Sequence, residues 1–131
     1  MRANGPGQRL PGGDRSMVLS KSSLASPVLM VDASRHFRHR LRCWQSDMVS
    51  RPVHASGWEL WMTVLPAAEP PGEDHPPLQF VTTVWSRWQQ VDFPAEQIGR
   101  RAWYRVRWVG KYRRKAWQSS WSQFTGAVIL G

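Results

Sequence analysis

Four histidines, one cysteine and nine carboxylates are the side chains of this 131-residue sequence best suited to hold a metal or move a proton near neutral pH. Their spacing gathers none of them into a site. His36 and His39 stand three apart in a stretch that alternates like a strand, so their rings leave opposite faces and cannot share one ion. These two, with His54 and His75, read as structural histidines. Glu73 and Asp74 are adjacent acids in a proline-rich loop, where nothing would shift their protonation. The sequence has no Gly-x-Ser-x-Gly elbow, no His-Glu-x-x-His pair and no glycine-rich phosphate loop. The single Cys43 rules out an intrachain disulfide and a multi-cysteine zinc site. The chain therefore reads as a non-enzyme, with no catalytic, cofactor-binding or metal-ligating residue and no cofactor expected.

Indole and guanidinium are the better supplied chemistry. There are nine tryptophans, and 18 Lys and Arg stand against nine Asp and Glu, for a net charge of +9. A guanidinium over an indole is favourable by about 0.5–1 kcal/mol when exposed and by more when desolvated. The cations are unevenly placed: residues 100–131 carry Arg100, Arg101, Arg105, Arg107, Lys111, Arg113, Arg114 and Lys115 with no acid among them. Such a balance points to nucleic acid, to an anionic surface or simply to solubility.

These side chains need elements to position them. The length suits one domain and not two, and 41% hydrophobic content can build a core. Residues 1–26 are rich in Gly, Pro and Ser without periodicity and read as a disordered leader ahead of a domain over 27–131. From Pro27 onward, short alternating runs are separated by turn residues, which is an all-β pattern, and no run reads as a long amphipathic helix. Over Phe37–Cys43 the odd positions Phe37, His39, Leu41 and Cys43 face inward, while Arg38, Arg40 and Arg42 face water. Trp58, Leu60 and Met62 share one face of the next strand, and Glu59, Trp61 and Thr63 the other. A loop is marked by Asp47 and Pro52, and another by the prolines from Pro66 to Pro77. Later, Tyr104, Val106 and Trp108 face in, and Trp103, Arg105 and Arg107 face out, before a basic turn over Gly110–Lys115.

Residues 27–131 resemble a fibronectin type III domain, an immunoglobulin-like sandwich of seven strands. The likeness rests on Gly57-Trp58-Glu59-Leu60-Trp61, similar to the family's start of strand C, on Tyr104-x-Val106, similar to its tyrosine-corner strand, and on Trp121-Ser122. It is closest to single bacterial fibronectin-like domains of unknown role, through Arg38-His39-Arg40-Leu41 and Tyr104-Arg105-Val106-Arg107-Trp108-Val109. The resemblance implies strands A over 27–32, B over 37–44, C over 58–64, C′ over 78–83, E over 89–93, F over 103–109 and G over 122–129. It also implies that the Tyr104 hydroxyl bonds to backbone in the E–F connection. Strands C, F and G would lie side by side, so Trp61, Trp103, Arg105 and Arg107 would share an outer surface with Trp121 close by. Trp117-Gln118-Ser119-Ser120-Trp121-Ser122 is similar to the Trp-Ser-x-Trp-Ser of cytokine-receptor members, with the tryptophans four apart instead of three.

The function expected on these grounds is a protein-interaction or structural module, with Trp61, Trp103, Arg105, Arg107 and Trp121 as either a stacked ladder or a binding face. The partner expected is an unidentified protein, and the oligomeric state a monomer. The alternatives are weak nucleic-acid binding through the basic F–G hairpin and carbohydrate binding through exposed tryptophans. The longest apolar runs, Val28–Val31 and Ala127–Leu130, are far short of the roughly 18–20 residues of a membrane span or the 7–15 of a signal-peptide core. A cytoplasmic location is the default expectation.

Overall fold

Strands that alternate need a second apolar face to meet, and the chain supplies it as two antiparallel sheets. The computed structural model describes residues 27–45, 54–72 and 77–131; the expected leader, the loop around Asp47 and Pro52, and Glu73, Asp74 and His75 lie outside the described residues. The smaller sheet joins β1 (Pro27–Arg35), β2 (Arg38–Gln45) and, beyond it, β5 (Trp88–Asp92). The larger sheet runs from β4 (Gln79–Val84) through β3 (Ala55–Leu65) to β6 (Arg101–Tyr112), whose far edge pairs with both β7 (Lys115–Gln118) and β8 (Thr125–Val128). The described helical structure is one 3-10 turn at Ala95–Gln97, and no described helix is long and apolar enough to cross a membrane. The fold is an all-β sandwich.

The core follows the alternation. His39, Leu41 and Cys43 of β2 face Trp58 and Leu60 of β3 and Ala102, Tyr104, Val106 and Trp108 of β6, all essentially excluded from solvent. Burial pushes the Cys43 thiol well above its ordinary pKa, so it behaves as a small apolar side chain.

Four expectations are corrected. Phe37 is not an inward strand residue: it sits at the β1–β2 corner with φ of +60°, exposed, and β1 itself continues to Arg35. Its backbone is held by Leu130 O and Phe93 N, so the corner is tied to both β5 and the end of the chain. Strand G is not continuous over 122–129. Within that range only β8, Thr125–Val128, is strand; β7 pairs with β6 ahead of it, and residues 119–124 between the two interrupt the regular ladder. Leu78 falls outside the C′ strand, and Trp88 falls inside the E strand.

The basic turn is also shorter than Gly110–Lys115. β6 runs on to Tyr112, which pairs with Lys115, leaving Arg113 and Arg114 as a two-residue hairpin turn at φ +52° and +67°. Such a turn needs left-handed backbone at both positions, which is why Asn-Gly is preferred there. Gly110 lies within the strand, paired with Ala55 and Trp117, and a Cβ at that position would collide with the His54 carbonyl. Replacing Arg113 and Arg114 by Asn-Gly should therefore raise stability by about 1–2 kcal/mol, the scale of the left-handed penalty for an ordinary residue. Urea midpoints measure this, and a lower midpoint would show that the arginines make stabilising contacts outweighing the backbone cost.

Candidate functional site

The outer surface of the larger sheet is set by register. Glu59 stands opposite Arg107, Trp61 opposite Arg105 and Thr63 opposite Trp103, across the β3–β6 pair. Alternation sends all six side chains outward because their neighbours Trp58, Leu60, Tyr104 and Val106 are buried. On the β4 side, Phe80 pairs with Trp61 and packs edge-on to it at 5.5 Å.

The break in strand G completes the surface. Ser119 and Ser122 each turn a hydroxyl to β6, accepting from Trp108 N at 2.9 Å and from Val106 N at 3.0 Å. Their own N–H groups donate back to Trp108 O and Val106 O at 3.0 and 2.8 Å. Three residues of the segment are thus matched to two of the strand, and serine hydroxyls satisfy the amides that a strand partner would otherwise take. Between the two serines, Trp121 is carried out over the face. Its ring lies 4.4 Å from the Arg107 guanidinium and 5.5 Å from that of Arg105, and meets Trp61 edge-on at 5.9 Å.

The ladder closes at both ends. Arg105 also stacks on Phe124 at 4.8 Å. Arg107 donates from Nε to Glu59 Oε1 at 2.9 Å, and Trp61 Nε1 donates to the same oxygen at 3.1 Å. The Arg107–Glu59 pair is only about a fifth exposed on each side, so its charges are partly desolvated and stacked instead of hydrated.

Of the five residues singled out by sequence, Trp61, Arg105, Arg107 and Trp121 come together. Trp103 does not join them: it lies at the far end, over Gly126 of β8 and beside Arg101 at 5.8 Å. A Cβ at position 126 would lie 2.7 Å from the Trp103 ring, so glycine there is what lets the indole lie flat on β8. Trp117 is likewise outside the ladder, edge-on to His54 at 6.0 Å. The spacing that matters is Ser119-Ser120-Trp121-Ser122, the two serines three apart with a tryptophan between them, and not the pair of tryptophans four apart. Phe80 and Phe124 were missed as members of the face; Glu59, read from alternation as sharing the outward face with Trp61, was not counted among the candidates, and the register that sets it opposite Arg107 is what gives it a role.

The histidine that alternation turns inward has a defined role. His39 Nε2 meets Val128 O at 3.0 Å, and because a carbonyl can only accept, that nitrogen carries the proton. Nδ1 is then bare and accepts from the Tyr104 hydroxyl at 2.7 Å. The Tyr104 hydroxyl is thus bonded to a side chain of the opposite sheet, where backbone of the E–F connection was expected. Burial pushes the His39 pKa below its ordinary value, partly offset by the Val128 bond and by Asp32. The Tyr104 hydroxyl is pushed upward by burial, so it stays protonated as a donor.

Among the described residues no group of three or more His, Cys, Asp or Glu could hold a metal ion. A cavity of about 460 Å³ opens where the strand break leaves β1, lined by Pro27, Val28, Leu29, Trp121, Ser122, Gln123 and Thr125. No protein-family model matches the chain. No curated protein matches it either. A solved structure titled "Myokine structure" is similar in fold at a TM-score of 0.54 and 12% identity, over 82% of this chain and 98% of that one. At that identity the similarity extends to the sandwich architecture of the chain and stops there.

Proposed function

We propose that the chain is a non-enzymatic, fibronectin type III-like module serving as a protein-interaction or structural domain, with the Trp121 ladder as its stiffening element. The observation that carries this is the fixed state of the ladder's cations. Arg107 is held by Glu59 and Trp121 together, and Arg105 lies between Trp121 and Phe124. Side chains so engaged clamp the interrupted strand G onto β6, where regular pairing is lost. The edge of β4, unpaired among the described residues and with Phe80 half exposed beside Trp61, is the part of this face left open to a protein partner.

Changing Arg105 and Arg107 together to glutamine removes the cations and keeps much of the stem. The expected cost is about 1–2 kcal/mol, seen as a lower midpoint in denaturant melts. A midpoint equal to that of the parent chain would remove the structural reading and leave the face as a docking surface.

A further inference from the structure

A second set of stacked indoles and guanidiniums lies on the other sheet. The arginines that alternate along β2 project from its outer face, and the register ranks them in rows: Val28 beside Trp44, Met30 beside Arg42 and Trp88, Asp32 beside Arg40 and Gln90, and Arg38 beside Asp92. Arg42 stands between two rings, 5.5 Å from Trp44 and 5.6 Å from Trp88, and Arg40 lies 5.0 Å over Trp88. Arg42 Nε is buried with no acceptor, so indoles hold this side chain where an ion pair could have done so.

The charges on this face are unequally matched. Asp92 is engaged by Arg38 at 2.8 Å, and Asp32 accepts from the backbone and hydroxyl of Ser34 at 3.0 and 2.6 Å. Among the described residues, Arg40 and Arg42 have no carboxylate within ion-pair distance. Beside them the Trp88 ring is 43% and the Met30 thioether side chain 45% exposed, and the Trp44 ring is half-buried. This is the reverse of the Trp121 ladder, where Glu59 neutralises Arg107.

We infer that the outer face of β1, β2 and β5 binds single-stranded nucleic acid, with backbone phosphates on Arg40 and Arg42 and bases stacked on Trp88 and Trp44. Guanidiniums without an ion pair attract an anion, and the exposed Trp88 ring, with the half-buried Trp44 ring on the far side of Arg42, favours a flat apolar partner; a single strand provides both along one line, and this sheet face displays both across neighbouring strands. An acidic peptide would satisfy the arginines and leave the rings exposed, whereas a neutral glycan would do the reverse. The net charge of +9 draws any polyanion toward the protein, and this face gives it a place to dock.

The test is anisotropy of labelled oligo-dT and oligo-U of about 15 nucleotides, titrated with the full chain between about 50 and 200 mM salt. Binding of either strand, falling linearly in log affinity with log salt, is expected. Arg40→Gln with Arg42→Gln should flatten that slope by about 1.4, since each phosphate contact on a single strand contributes about 0.7. Arg40→Lys with Arg42→Lys should restore the slope. Trp88→Ala should weaken binding about fivefold or more and leave the slope alone. Asn-Gly in place of Arg113 and Arg114 removes the same number of charges from the hairpin and should leave the slope as it was. Thermal melts of each variant report that it is folded. The inference is overturned by no binding at the lower salt, by a hairpin variant that flattens the slope as much as the β2 pair, by a Trp88→Ala protein that binds as the parent does, or by a sulfated glycan that displaces the oligonucleotide at equal charge.

Discussion

Truncating Trp58 to alanine is expected to remove about 3–5 kcal/mol of stability, a large fraction of what a domain of this size has. Trp58 is 1% exposed and sits in the middle of β3, paired with Trp108 on one side and Val84 on the other. Two terms add. Loss of the indole leaves a void that a sheet anchored on both sides cannot collapse to fill, and it orphans the Ser86 carbonyl, which accepts from Trp58 Nε1 at 2.8 Å. The second term can be isolated, because the Nε1 of Trp108, equally buried, has no partner. Trp58→Phe should therefore cost more than Trp108→Phe by about 0.5–1.5 kcal/mol, the worth of one hydrogen bond. Guanidinium melts of the three variants measure both quantities. Equal costs for the two phenylalanine variants would show that the Ser86 bond contributes nothing.

The second large effect is expected on acidification. Folded His39 has a pKa below the value of about 6.5 that it takes when unfolded, chiefly because burial disfavours the imidazolium. Its geometry agrees: with Nε2–H given to Val128 and Nδ1 accepting from Tyr104, a second proton would face the tyrosine's own hydroxyl. Between the folded and unfolded pKa values the unfolded chain binds the extra proton and the folded chain does not. Stability should be complete above pH about 6.5 and should fall as pH drops toward the folded value. His39→Leu abolishes that fall and, at pH 8, orphans the Tyr104 hydroxyl and the Val128 carbonyl at about 1–3 kcal/mol each. Adding Tyr104→Phe to His39→Leu should recover part of the loss, since the buried hydroxyl is then gone. Stability curves from pH 8 to 5 for the parent, the two single variants and the double variant check this. A parent curve parallel to that of His39→Leu across the window would mean that His39 is not the titrating group.

Much of the fold was legible because alternation is a local property. The parity of Leu41 and Cys43, of Trp58 and Leu60, and of Tyr104, Val106 and Trp108 is written in the order of residues, and the structure buries each of them. Phe37 misled because an apolar residue in phase with its neighbours looks like strand, whereas its left-handed backbone comes from hydrogen bonds to Leu130 and Phe93, remote in sequence. The split of strand G was hidden for a similar reason. Serine is an ordinary strand residue until its hydroxyl is seen to take a neighbouring strand's amide, as at Ser119 and Ser122.

The sequence by itself determined an all-β chain, the inward and outward parity of its strands, and the pairing of arginine with tryptophan as its dominant surface chemistry, because a period of two and residue type need no knowledge of neighbours. Only the tertiary structure decided which arginines meet which rings. Arg107 became a neutralised clamp because the β3–β6 register sets Glu59 opposite it and the broken strand brings Trp121 over it. Among the described residues, Arg40 and Arg42 were left to indoles without an ion pair because Asp32, opposite Arg40 on β1, is taken by Ser34, the β2–β5 register sets Gln90 and Trp88 on their other side, and Asp92 falls to Arg38. A shift of one residue in either register would exchange these partners, and register is fixed by the whole sandwich closing on its core.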